Sequence, residues 1–404
     1  MVTLSLEKLV VAFVNRCRSN NQSAKRKPVN QKASTMSQKK VNVALVGLSF
    51  GAEFLPIYQK HPNANLYAIC QRDPVKLKEL GDAFGVEKRY TSYEELLKDP
   101  NVDAVHINTP VNMHAPQTIA ALNAGKHVGC TIPSGTTVEE CWEIVKAAEK
   151  NKRNYMLMET VIYSREYLHV RELRDQGKLG RIQFLRGSHL QNMEGWPAYW
   201  EGFPPMRHAT HCVSPCLALV NGEAEWVSCV GSGRIKEAYA AKYGSPFAYE
   251  SAHFKVRDQD VGFEVSRFLY GVTRQYVESF DVYGENMSYE WQRAEGDDPI
   301  LHVGGEKVEK IKVPDYAHLL PEPIRRFTTK GVYDDEHQHL SFAQGGGHGG
   351  SHPHLVHEFL SSIVEGRASF PDVYQSCNWT CAGLCAHESA MNGGKVVQVP
   401  NFRS

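Results

Sequence analysis

No stretch of the 404-residue sequence approaches the ~20 consecutive apolar residues that a membrane span requires. Excess charge is also missing. The 45 Lys and Arg are matched by 45 Asp and Glu, which excludes the global basic field of a nucleic-acid binder. No internal repeat is visible. An apolar run at residues 9–14 is too short for a secretory signal core, and no small-residue cleavage site follows it cleanly. Cysteine is present, at ten residues, but in a chain of this length ten do not make a disulfide framework. A reduced, cytoplasmic protein is expected. Cys377, Cys381 and Cys385 recur every four residues, which places them on one helix face. Close packing explains them better than a metal.

The charge is unevenly spread. Residues 1–40 hold nine Lys or Arg and one acid, so they carry +8 and the remainder −8. Residues 15–40 are polar and basic, which predicts a disordered extension over 1–40 with no role in the fold, and Met36 reads as the authentic start. From residue 41 onward, β-branched runs alternate with helical patterns as far as about residue 160. That alternation predicts a parallel, doubly wound α/β domain over 41–160. Helices are expected at 51–61, 74–84, 114–124 and, behind a Thr137-x-x-Glu140 capping box, 137–151. After a helix at 163–174 the pattern changes to strands with few helices between, at 182–187, 226–231, 251–255, 262–269, 274–282 and 288–293. An α+β domain with a large antiparallel sheet is expected over 161–404.

The first strand runs into Gly47-Leu48-Ser49-Phe50-Gly51-Ala52. A dinucleotide fingerprint reads G-x-G-x-x-G/A. Gly47 and Ala52 fit it, Ser49 replaces the second glycine, and Gly51 supplies room beside the third position. The loop and the helix N-terminus behind it are expected to hold a pyrophosphate. After the second strand, where an acid usually binds the ribose, stand Gln71 and Arg72. NAD is favoured, and NADP remains open.

Asn108-Thr109-Pro110-x-Asn112-x-His114 and Ala121-Leu122-x-Ala124-Gly125-Lys126-His127-Val128 make the chain resemble the Gfo/Idh/MocA family of oxidoreductases. That resemblance implies a Rossmann domain followed by an open-faced antiparallel sheet through which copies associate. It also implies a nicotinamide pocket lined by the segment containing Thr109, Pro110, Asn112 and His114. The family usually carries Glu-Lys-Pro after His-Val, with the Lys as acid/base. Here the segment is Cys130-Thr131-Ile132-Pro133, and Ile132 cannot move a proton. Met158-Glu159 with Tyr163-Ser-Arg165, His208-Ala-Thr-His211 and His348-Gly-Gly350 resemble the NAD-dependent glycosidases of this family. A related branch, which also lacks the Lys, oxidises carbon 3 of glycosides. On this resemblance Thr131 and Glu159 belong with the cofactor.

Oxidising a sugar alcohol requires a base for the hydroxyl proton. With Lys absent, His211 is expected to accept it, since an imidazole is matched to neutral pH. Tyr163 or His208 would relay or orient the proton, and histidines three apart on one helix share a face. Trp196, Arg165 and His348 are expected at the substrate, Trp196 because aromatic faces pack on sugars. His348, His352, His354 and His357 do not have compelling metal spacing, and no metal is expected. The expected activity is NAD(P)-dependent oxidation of a sugar-ring hydroxyl, carbon 3 of a glycoside. A glycosidase working by transient oxidation and elimination, and a non-catalytic sugar- or nucleotide-binding protein, remain open.

Overall fold

Six short parallel strands, most of them rich in β-branched or small residues, build the first layer. The computed structural model describes residues 40–329 and 347–404, so the predicted extension lies, except for Lys40, outside the described residues. Strands β1 (Val41–Val46), β2 (Ala64–Cys70), β3 (Lys88–Tyr90), β4 (Ala104–Ile107), β5 (His127–Cys130) and β6 (Tyr155–Leu157) form a sheet in the order β3-β2-β1-β4-β5-β6. Every pair is parallel. The order reverses beside β1, which opens a crevice at the carboxyl ends of the strands.

Each crossover begins at a local signal. Asp73 accepts hydrogen bonds from the backbone N–H groups of Val75 and Lys76 and starts α2 (Pro74–Ala83) after the shorter α1 (Leu55–Lys60). The predicted capping box is formed at the start of the helix Val138–Asn151. Where one helix was expected over 51–61, the chain makes a 3-10 turn over Phe50–Phe54 and becomes α-helical only at Leu55. Pro56 fits only the first turn of an α-helix, so it sets that late start.

The second sheet has nine strands: β7 (Ile182–Leu190), β8 (Ala224–Ser232), β9 (Tyr249–Val256), β10 (Gly262–Phe268), β11 (Val277–Gly284), β12 (Met287–Glu290), β13 (Ile300–Val303), β14 (Lys307–Lys310) and β15 (Val397–Gln398). Their order is β14-β13-β12-β11-β7-β10-β9-β8-β15. The sheet is antiparallel, as expected, except where β7 and β10 pair in parallel. The chain leaves β7 and returns to its flank after building β8 and β9 beyond it.

One helix determines where the site forms. Thr210–Leu219 is buried along its whole length and lies on β7. A Cβ at Gly187 would lie 2.0 Å from the carbonyl oxygen of Cys212, so only glycine lets helix and strand come this close. The late helix Val373–Met391 is also almost wholly buried and carries Cys377, Cys381 and Cys385 in the core. All nine cysteines among the described residues are free and buried. No described helix is long and apolar enough to cross a membrane.

Candidate active site

The carboxyl ends of β1, β4, β5 and β6 present Gly47, Asn108, Thr131 and Glu159 side by side. Gly47 has φ +83°, and a Cβ there would lie 2.6 Å from the Asn108 carbonyl oxygen. At Gly51 a Cβ would lie 3.0 Å from the Asn108 side chain. The 3-10 turn after Ser49 has no side-chain cap, so its first N–H groups remain available to an anion. Ser49 is exposed, with Oγ 3.4 Å from Lys76 Nζ. Asn108 Oδ1 is buried beside this cradle without a partner. Glycine backbone, uncapped N–H groups and a cation suit a dinucleotide pyrophosphate. At the end of β2, Gln71 Oε1 accepts the Arg72 N–H at 2.9 Å, and Arg72 is exposed.

The loops after β4 and β5 are locked together through His114. Its ring nitrogens lie 2.8 Å from the Pro133 carbonyl and 2.7 Å from that of Thr109. Thr109 donates to Gln117 Oε1 at 2.6 Å, and Thr131 donates to the Ile107 carbonyl at 3.1 Å. Pro110 caps the helix Val111–Asn123, and Asn112 is exposed on its first turn. Thr109, His114 and Thr131 therefore shape this wall with hydrogen bonds made to the protein itself.

Across the crevice, three strands of the second sheet place polar side chains in one row. In the registers of β10, β7 and β11, Arg267, His189 and Glu278 are direct neighbours. His211, from the helix lying on β7, completes the group. Its Nδ1 lies 2.6 Å from Glu159 Oε1 and its Nε2 3.4 Å from Glu278 Oε1. His189 Nε2 is 3.6 Å from the same Glu278 oxygen. Glu278 Oε1 also accepts the Tyr276 hydroxyl, while Oε2 takes His348 Nδ1 at 2.9 Å. All but Tyr276 and His348 are buried.

Burial pushes the Glu278 carboxyl up, but His211, His348 and His189 together outweigh it and hold the group well below the usual carboxylate range. Burial lowers His348, yet Glu278 prevails and its imidazole is pushed up to about 9. Burial, then Arg267, push His189 and His208 well below their ordinary value. Arg267 has no carboxylate partner. It donates to the carbonyls of His208, His189 and Phe268, and burial lowers it to about 10.

Several sequence expectations change here. His208 and His211 do not share a helix: His208 ends a 3-10 turn (Pro205–His208), and His211 lies just inside the next helix. Their rings still meet at 5.7 Å, because the chain barely turns between them. Tyr163 is not in the group. Its hydroxyl donates to the Phe370 carbonyl at 2.6 Å, in a separate cavity with Arg171 and His354. Glu159 does not face the glycine loop but holds His211. Trp196 is 45% exposed and meets Trp200 edge-on at 6.4 Å between ring centroids, and Trp200 in turn packs on His208.

Arg165 and His348 do line a cavity of about 570 Å³ that includes Glu278, Glu166 and Trp291. The Arg165 guanidinium, however, donates to the Thr328 carbonyl at 2.8 Å, and its Nε lies 3.4 Å from that of Gly349. It buttresses the turn that presents His348, whose own φ is +47°. The four late histidines disperse. His348 meets Glu278, His352 meets Glu53 at 3.3 Å, His357 pairs with His61 at 3.1 Å, and His354 lines the separate cavity. Phe50 of the glycine loop packs on His348 at 6.2 Å and on His352 at 5.7 Å. The dinucleotide cradle and the histidine group are thus in contact through a single ring.

Sequence reading missed His189, Glu278 and Arg267. Each sits on a different strand, and only the sheet register brings them together. The alternation in β10 was the one available signal, since it places Arg267 at a buried position.

Residues 41–159 match the family model Gfo/Idh/MocA, described as "Oxidoreductase family, NAD-binding Rossmann fold". The chain is 24% identical over 330 residues to an alpha-N-acetylgalactosaminidase of Shewanella oneidensis, covering 77% of this chain and 72% of that protein. It is 24% identical over 399 residues to a glycosyl hydrolase family 109 protein of Saccharopolyspora erythraea, covering 90% and 83%. Among solved structures, a levoglucosan dehydrogenase in complex with NADH and levoglucosan superposes with a TM-score of 0.73 at 21% identity, covering 90% of this chain and all of that one. An oxidoreductase from Agrobacterium radiobacter, solved with NAD+, L-tartaric acid and magnesium, gives 0.71 at 16% identity, covering 89% and 98%.

Proposed function

We propose that the chain, whose residues 41–159 match the Gfo/Idh/MocA model of NAD-binding Rossmann oxidoreductases, oxidises a ring hydroxyl of a sugar, at carbon 3 of a glycoside. NAD, when bound, supplies the hydride acceptor. The observation that carries the reading is the buried array Glu159–His211–Glu278, joined to the glycine loop through His348 and Phe50. Ile132 offers no amine where the family's acid/base usually stands, so another group must assist loss of the hydroxyl proton, and this array supplies the candidates. Glu159 fixes the His211 ring and directs Nε2 away from the first sheet. His348 and Glu278 line the cavity, where carboxylate and imidazole groups can bind neighbouring hydroxyls.

The glycosidase relatives support a second reading, in which oxidation is transient and the aglycone is eliminated. Against it stands Thr131, which replaces the carboxylate of that branch and whose hydroxyl is committed to the Ile107 carbonyl. Incubation with a panel of aryl and alkyl glycosides and free NAD tests both. Accumulating ketosugar with equimolar NADH supports net oxidation. Released aglycone without net NADH supports the glycosidase, and neither product refutes both.

A further inference from the structure

His189 is the residue that the proposed function leaves unexplained. It is 1% exposed, and neither ring nitrogen has a hydrogen-bond partner among the described residues. A buried polar group without a partner costs stability. Yet its Nε2 points at the Glu278 oxygen that His211 Nε2 also faces, at 3.6 and 3.4 Å. One ligand atom from each of the three residues lies within 4.8 Å of the others.

We infer that His189, His211 and Glu278 hold a divalent cation of the zinc class, with its remaining position open to the substrate hydroxyl. The geometry favours this in three ways. Zinc binds nitrogen and oxygen at ~2.0–2.2 Å in tetrahedral sites, which puts neighbouring ligand atoms about 3.3–3.5 Å apart. The two separations to Glu278 Oε1 are close to that spacing. Each ligand except His189 is also held from behind as metal ligands are: His211 Nδ1 by Glu159 at 2.6 Å, and Glu278 through its other oxygen, Oε2, by His348 at 2.9 Å. With Nδ1 engaged by Glu159, Nε2 is the His211 ring atom left to face the Glu278 oxygen. Two histidines and one carboxylate also match the three-ligand set of catalytic zinc sites. The cationic groups nearby are Arg267, bound to three carbonyls, and His348, bound to Glu278, and the two carboxylates Glu159 and Glu278 offset them.

This inference rests on the proposed function for its role and replaces one part of the sequence expectation. His211 Nε2 serves as a ligand, not as the proton's final acceptor. The cation binds the hydroxyl oxygen and lowers its pKa. The O–H bond breaks with its proton passing to cavity water, and the carbon-bound hydrogen leaves as hydride to NAD+. The cation stands in for the positive charge that Ile132 removes.

The test uses the full chain, stripped with chelator and titrated with Zn²⁺ and with Co²⁺, without sugar. About one equivalent should bind, Co²⁺ should show the intense visible bands of a tetrahedral site, and His189→Gln should weaken binding at least tenfold. Absence of stoichiometric binding by the folded wild-type chain overturns the site. Equal binding and an unchanged cobalt spectrum in His189→Gln overturn this ligand set. Should stripped protein oxidise a glycoside at the full rate, the cation has no part in catalysis, the base role returns to His211, and the proposed function stands.

Discussion

Glu159→Gln separates two roles that the same carboxylate could play. The side chain is fully buried, and its Oε1 lies 2.6 Å from His211 Nδ1 while accepting the Val161 N–H at 3.1 Å. Glutamine keeps the shape and can still accept from Nδ1, but it loses the charge. A charge-assisted hydrogen bond in such a place is worth ~1.5–3 kcal/mol. If that energy orients and polarises His211 during the reaction, kcat should fall by ~10–150-fold, in line with the ~10–100-fold typical of residues that orient a metal ligand. KM for the sugar should move little, and the dissociation constant for NAD, read by fluorescence titration, should stay within twofold. A tenfold weaker NAD affinity with kcat intact would refute this reasoning. Glu159 would then be a cofactor residue, as the family resemblance alone implies.

Three further outcomes follow from the geometry. Ser49→Leu should weaken NAD binding by at least tenfold in the same titration, because the turn must let a pyrophosphate approach its backbone; unchanged affinity would move the phosphate site elsewhere. Tyr163→Phe should lower stability by ~1–2 kcal/mol in urea melts, through the orphaned Phe370 carbonyl, and leave turnover unchanged; a large loss of kcat would return Tyr163 to the site. Burial raises the Glu53 carboxyl to about 7 from 4.5, so the folded state holds a proton that the unfolded chain has released. The stability this contributes is fully present below pH 4.5 and is lost as pH rises through 7. Glu53→Gln should therefore match wild type near pH 4.5 and exceed it by up to about 3 kcal/mol at pH 8; parallel pH–stability curves would contradict this.

The nucleotide-binding half was legible because its signals are local. The Gly47 turn, the helix start at Pro74 and the Thr137 capping box each act within four residues of themselves. The change to a strand-rich half near residue 160 was legible for the same reason. The parallel pairing of β7 with β10 was not, since it depends on where a chain returns after some 70 residues. Of the helix Thr210–Leu219 only the spacing of His208 and His211 was legible, because the helix is buried on every side and carries no amphipathic stripe. His211 could be found from its motif, whereas its partners could not: Glu278 sits 67 residues further on and reaches it only through strand register. Tyr163 and Glu159 show the limit of carrying a family's motif over by sequence. Both match by position, yet one is committed to a backbone carbonyl and the other to His211.

The most direct measurement follows a single hydrogen. A glucoside deuterated at carbon 3 is incubated with the protein and NAD, and the products are read by mass spectrometry and NMR. The account predicts deuterated NADH in one-to-one yield with a 3-keto-glycoside, and a slower reaction than with the protiated sugar wherever hydride transfer limits the rate. Unlabelled NADH, or aglycone released with no NADH formed, would contradict it.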